Sequence, residues 1–340
     1  MFHKQRAFAY YFILIEAWNI PIEKMGSKKN LSDQKVWHMV HFIQNKSIVV
    51  QMRNVLSKLV LFAINSLMAS SLNAIELDVF IAPEYRVDHL CWKVSSLPIA
   101  DIITEEKWRN IQSVGVFAET DAYICDRIYI QAQGNISWVV DGEKQLDEYG
   151  QISFDQDGWL LAHTHGYLYD VSAGFGYLFP FLNECVQIAP TIGFEFSEQK
   201  FKDSNYDDTL YLINFFEDVK SSYRYQWMGP WIGTHCTYLF PNWAVGVFEY
   251  RFHYIWYHAM VHDNLLGSSR ETQNNSHVYG NDFTLKIFSD CWKNWGIGLI
   301  GNYSFTNGTN GHNKTLDQTY PLKHVRWSNG KVALAFVLRF

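Results

Sequence analysis

The sequence predicts a transmembrane antiparallel up-and-down β-barrel of about ten strands, all-β, and three observations predict it. The chain ends on a strand-like alternation that closes with an aromatic residue. The same period-2 alternation recurs in runs of about ten residues. Aromatic residues make up 17% of the 340 residues, yet mean hydropathy is only −0.15. No apolar run approaches the ~20 residues that a membrane-crossing helix needs. Tyr and Trp in such numbers suit the two water–lipid interfaces of a barrel wall.

The terminal strand is the clearest element. Val332, Leu334, Phe336, Leu338 and Phe340 alternate with Lys331, Ala333, Ala335, Val337 and Arg339, and in a strand the two sets face opposite sides. Taken in chain order, Ile128, Ile130, Ile136 and Trp138 oppose Tyr129, Gln131, Gln133, Asn135 and Ser137. Tyr169, Val171, Phe175 and Tyr177 oppose Asp170, Ser172, Gly174 and Gly176. Ile188, Ile192, Phe194 and Phe196 oppose Gln187, Thr191, Glu195 and Ser197. Phe248, Tyr250, Phe252, Tyr254 and Trp256 oppose Glu249, Arg251 and His253, and Ile297, Leu299, Tyr303 and Phe305 oppose Gly298, Asn302 and Ser304. The apolar set is expected to meet lipid and the polar set to fill the lumen.

Strands are placed near 76–86, 107–121, 127–140, 165–178, 185–199, 222–239, 243–259, 277–289, 295–307 and 326–340. Short gaps at 122–126, 179–184, 240–242 and 290–294 alternate with long polar ones near 87–106, 141–164, 200–221, 260–276 and 308–325. Short periplasmic turns and long outer loops give that rhythm, and an even strand number puts both ends in the periplasm. The glycine-rich stretch Asn307–Asn313 is expected to be a flexible outer loop.

Residues 52–74 read as a signal peptide. Arg53 and Lys58 precede the apolar Leu59–Ile64, and Ala69, Ser70, Ser71 and Ala74 are small enough for cleavage, with the mature barrel at 75–340. Residues 1–51 lack strand alternation and are read as an upstream extension or a shed leader outside the fold. Nine of the 28 Lys/Arg and three of the 34 Asp/Glu lie in residues 1–74, which leaves 19 and 31 beyond it, a net of −12. Nucleic-acid binding rewards clustered cations, so that class is excluded.

The five cysteines, Cys91, Cys125, Cys185, Cys236 and Cys291, form no CxxC pair and no zinc spacing with histidine. The topology gathers all but Cys91 at the periplasmic rim, where disulfides are allowed. The predicted lumen holds Gln131, Asp170, Glu195, Glu249, Arg251, Lys286 and Arg339. Buried charges must pair, so Glu249 and Arg251 with their neighbours are expected to form a plug. No catalytic, cofactor-binding or metal-binding residues are assigned.

From His165–Gly174 with Gly176 and Tyr177, Pro190–Phe194, Ser222–Gly233, Phe248–Tyr250 and Trp292–Asn302, the chain over roughly 86–340 resembles the Protochlamydia outer membrane protein family. That resemblance implies the outer membrane as location, with pore formation proposed for some members. A last strand ending in an aromatic is similar to what the barrel-assembly machinery reads, which makes Phe340 its expected contact. Disulfide-linked envelope proteins are further partners that the resemblance implies. Strand order and Met228–Gly233 are more distantly similar to omptins, ten-stranded barrels with an outer protease site. Asp155 and Asp157 match the first aspartate pair of that site. The Asp-x-His pair would fall at Met260–His262, where the Asp is replaced by Met260. Three functions follow from these readings: a structural or surface barrel, a small pore, or an omptin-type endopeptidase.

Overall fold

The computed structural model describes residues 75–96, 102–125, 127–149, 160–181, 185–208, 221–240, 244–263, 269–292, 294–315 and 318–340. The signal peptide at 52–74, the segment 1–51, and Asp155 and Asp157 lie outside the described residues.

Ten long antiparallel strands form one closed sheet. They are β1 (Ile75–Ser96), β2 (Ile102–Ile124), β3 (Ile128–Tyr149), β4 (Leu160–Tyr177), β6 (Val186–Asp208), β7 (Ser221–Phe240), β8 (Ala244–Asp263), β9 (Ser269–Trp292), β10 (Trp295–Lys314) and β11 (Thr319–Arg339), with a three-residue β5 (Phe179–Phe181) continuing β4. Neighbours in sequence pair, β4 pairs β6, and β1 pairs β11, so the sheet has no open edge. Leu77 and Phe340 exchange both backbone hydrogen bonds, at 2.9 and 3.1 Å, at the rim where the first and last strands meet.

All ten predicted strands are present and their ends at this terminal rim are nearly as expected. At the far end they run on. The stretches 87–106, 141–164, 200–221, 260–276 and 308–325, expected to be long loops, are strand over most of their described residues. The supposed flexible loop Asn307–Asn313 belongs to β10. Its glycines serve packing, because a Cβ on Gly308 would lie 2.5 Å from Val278 Cγ2 and one on Gly311 2.7 Å from Asn274 O.

The extra length has one physical signature. Along β7 the odd residues from Ser221 to Thr237 point inward. Tyr223, Tyr225 and Trp227 fill the inside of the far half, and Trp231, His235 and Thr237 continue that face towards the terminal rim. The even residues point outward and change from Ser222, Arg224 and Gln226 to Met228, Pro230 and Ile232, the last 62% exposed. The half nearer the termini is thus polar inside and apolar outside, as a wall facing lipid must be. The far half is apolar inside and polar outside, as in a water-soluble barrel. Exposed Ile81, Val116, Ile130, Phe175, Phe194, Phe252, Leu285, Leu299 and Leu334 form the apolar band. Tyr177, Phe179, Phe181, Tyr238 and Phe340 collar its terminal edge. The β7–β8 ladder omits Gly229 and Pro230, where proline has no N–H to give.

Candidate functional site

Among the described residues the lumen is lined by all ten long strands, and it is filled in tiers. At the terminal rim Arg339 Nε donates to Asp78 Oδ1 at 2.8 Å. Phe80, Val247, Phe288, Ile300, Ala333, Ala335 and Val337 pack above it.

Next comes an ionic waist. Lys286 donates to Glu119 and, at 2.7 Å, to Glu249, with Asp121 at 3.6 Å. Arg251 donates to Glu249 at 2.8 Å and to Gln131 Oε1 at 2.6 Å, and Gln131 Nε2 reaches the other Glu249 oxygen at 2.9 Å. His235 Nδ1 is 3.2 Å from Glu249. The expected plug of Glu249 and Arg251 is present, and Gln131 and Lys286 of the predicted lumen set are the neighbours that join it. Asp170 belongs to a separate group, holding Arg86 at 2.6 Å and Lys331 at 2.7 Å, while Arg86 also grips Asp88. Glu195 borders a small mid-height cavity with His253, Asp282, Asn302 and Asn329.

Sequence reasoning missed Glu84, Arg86, Asp88, Glu119, Asp121 and Asp282, and placed His253 on the inward face without giving it a role. A charged residue at inward parity within an apolar alternation was the available signal, since such a residue cannot face lipid.

Above the cavity the far half is closed by rings. Trp227 stacks on Trp327 at 5.4 Å and tilts against Tyr257 at 4.5 Å. Trp108 meets Tyr223 and Tyr225 edge-on at 5.0 and 5.5 Å. Lys144 caps this aromatic core, 4.3 Å from the Tyr223 ring centroid, with its ammonium bound to Glu106 at 2.9 Å.

On the outer wall beyond the apolar band, Cys91 donates to Glu105 Oε1 at 3.3 Å, and Glu105 is also held by Lys93 and Lys107, each at 3.2 Å. Burial and the Glu105 carboxylate push the Cys91 thiol up to about 12. Cys125 and Cys185 are exposed at the terminal rim, and Cys236 is there too on the outward face; the Cys291 side chain lies outside the described residues. Only thiolates alkylate, so at pH 8 Cys91 is expected to react at least ~100-fold more slowly than Cys125. Pulse alkylation read by peptide mass spectrometry checks this, and equal rates would contradict it.

His262, the remaining half of the omptin-like pair, sits on the outer wall. Its neighbour Val261 is 3% exposed and points inward, and Met260 is 39% exposed on the same outer side as His262.

A closed antiparallel barrel with an outward apolar band, aromatic collar and charged lumen is an outer-membrane β-barrel protein. The sequence matches the model of the Protochlamydia outer membrane protein family over residues 81–340, and the chain belongs to that family. It is accordingly a protein of the outer membrane. Among solved structures the chain is similar to the outer membrane protease OmpT from Escherichia coli, at 10% identity and a TM-score of 0.61, over 79% of this chain and 97% of that one. That likeness is one of fold. The monoaromatic hydrocarbon channel CymD (9% identity, TM-score 0.29, 78% and 88% covered) and the toluene transporter TodX of P. putida (9%, 0.28, 79% and 90%) superpose far less well. No curated protein matches the sequence.

Proposed function

We propose that this protein is a surface or structural barrel of the outer membrane with a closed lumen and no catalytic activity. The observation that carries the reading is the filling of the lumen at two levels, by the Lys286–Glu249–Arg251 waist and by the Trp108–Tyr225–Trp227–Trp327 core. Small barrels are filled by their own side chains, whereas open channels use about sixteen strands or more. Against cleavage chemistry stand the outward placement of His262 on β8 and the Met260 that occupies the position of the omptin-like aspartate. An unpaired imidazole lacks the partner that fixes its tautomer and stabilises its cation.

The reading extends to partners. Phe340, 68% exposed at the closing seam, offers its ring to the assembly machinery. Cys125 and Cys185, exposed at the rim, are the thiols available to neighbouring envelope proteins.

Planar-bilayer recording of the purified barrel tests the central claim. A flat trace at neutral pH is expected. Reproducible unitary steps that vanish when protein is omitted would establish a pore instead.

A further inference from the structure

The cavity at mid-height has a donor set that the plug does not use. His253 on β8, Glu195 on β6 and Asp282 on β9 each offer a ligand atom, and these atoms all lie within 4.8 Å of one another. His253 is 4% and Asp282 8% exposed. The imidazole Nδ1 stands 3.5 Å from Glu195 Oε2. Yet among the described residues His253 Nε2 and Glu195 Oε2 have no hydrogen-bond partner, and neither do the side-chain atoms of Asn329 on the same cavity wall. Buried polar atoms are paired as a rule, and an orphan costs about 1–3 kcal/mol. Several orphans around one void mean that something polar sits in the void.

Charge selects what that is. Among the described residues four bases of the membrane-level lumen are engaged elsewhere: Arg86 by Asp88 and Asp170, Lys331 by Asp170, Lys286 by Glu119 and Glu249, Arg339 by Asp78. Arg251 stands opposite Asp282 in the β8–β9 ladder. Its Nη2, however, is taken by Glu249 and Gln131, and its guanidinium lies 4.7 Å from the Trp231 ring centroid. Among the described residues Arg251 Nη1 makes no hydrogen bond, and its charge acts on both Asp282 and Glu195, so one cation faces two carboxylates and the group keeps a net negative charge for a bound cation to balance. Ser197 donates to Glu195 and Asn302 to Asp282. Such donors can hold a ligating carboxylate in place, as hydrogen-bond partners of metal ligands do. The cavity measures about 50 Å³. A water needs roughly 10–15 Å³ on that measure, so there is room for an ion and a water or two.

We propose that this cavity binds one divalent transition-metal ion through His253, Glu195 and Asp282. One imidazole with two carboxylates suits zinc, iron or nickel, whereas calcium and magnesium prefer all-oxygen shells. Ligand distances of ~2.0–2.2 Å need only a small inward rotation of the three side chains. The three ligands come from three strands, so no sequence spacing announces the site. The ion enters as the barrel closes, because the aromatic core and the ionic waist block the lumen on either side.

The test uses the whole barrel folded in detergent with Zn²⁺, desalted, and analysed for metal by mass spectrometry. Folding of each variant is read from its heat-modifiable band. Wild type is expected to retain about one zinc per chain, and His253→Ala at least tenfold less. Asp282→Asn keeps the shape of the side chain and guards against a His253 variant that fails to fold; its retention is also expected to fall tenfold. Folding with Co²⁺ instead is expected to give a visible ligand-field band that Asp282→Asn loses. A wild type that retains no zinc, or retention unchanged in folded His253→Ala and Asp282→Asn, would overturn the proposal and leave a water-filled cavity. Calcium retained in preference to zinc would overturn it as well.

Discussion

Lys286→Met is expected to lower the unfolding free energy of the barrel in detergent micelles by about 3–5 kcal/mol, the range for breaking a buried ionic cluster by removing one partner. Lys286 is 1% exposed and is the cation common to Glu119, Asp121 and Glu249. Taking it away leaves these three carboxylates around a thioether, with Arg251 reaching only Glu249. Methionine fills similar volume, so the loss reads out charge and not a void. Adding Glu119→Gln to Lys286→Met removes one of the stranded charges and is expected to recover part of the loss. Guanidinium titration followed by tryptophan fluorescence measures both. An unfolding midpoint unchanged in the single variant would mean that the waist is hydrated and contributes little.

Trp227→Ala and Trp327→Ala are each expected to cost about 3–5 kcal/mol, the usual range for a buried large aromatic truncated to alanine. Because the two rings stack on each other, the double variant should cost less than the sum, since one shared void is opened only once. Trp327 has a second role, as its Nε1 donates to Asp88 at 2.7 Å. Trp327→Phe separates the two, keeping a ring in the stack while dropping the donor. It is expected to lose about 1–3 kcal/mol, the cost of a buried acceptor deprived of one partner. Strict additivity of the two alanine variants would show that the stack is not a unit.

Much of this barrel was legible before any coordinates. Alternation carried six of the ten strands because, in the lipid-facing half, the wall separates apolar from polar side chains with period 2, and the rhythm of short and long gaps placed the rest. The same logic placed Glu249 and Arg251 in a plug with their neighbours, since ions at inward parity must find one another; which lumen residues those neighbours are, Gln131 and Lys286, came only with the structure. The far half was illegible for a specific reason. Parity persists through it, but the chemistry of the two faces exchanges. On β1, Glu84, Arg86 and Asp88 point inward in the lower half, and Leu90, Trp92 and Val94 point inward above them, while His89, Cys91 and Lys93 look out. A reader expecting apolar residues to face lipid sees the pattern fail there and infers a loop. The cavity ligands were illegible for another reason: His253, Glu195 and Asp282 are far apart in sequence and meet only through the β6–β7–β8–β9 register.

The seam between β1 and β11 bears on how the molecule comes to exist at all. Each hairpin of this sheet joins strands that are close in the chain, but the contact that closes the ring, Asp78 with Arg339, spans 261 positions. Loop-closure entropy grows as the logarithm of the span, so this pairing costs roughly 2–3 kcal/mol more than a hairpin about a dozen residues long. Contacts of such high order form late and slowly. Until they do, the meander has two unpaired edges, β1 and β11, each a template for another chain's strand. The last event in folding is therefore also the one that ends the protein's exposure to aggregation, and it waits on the pairing of the chain's final strand.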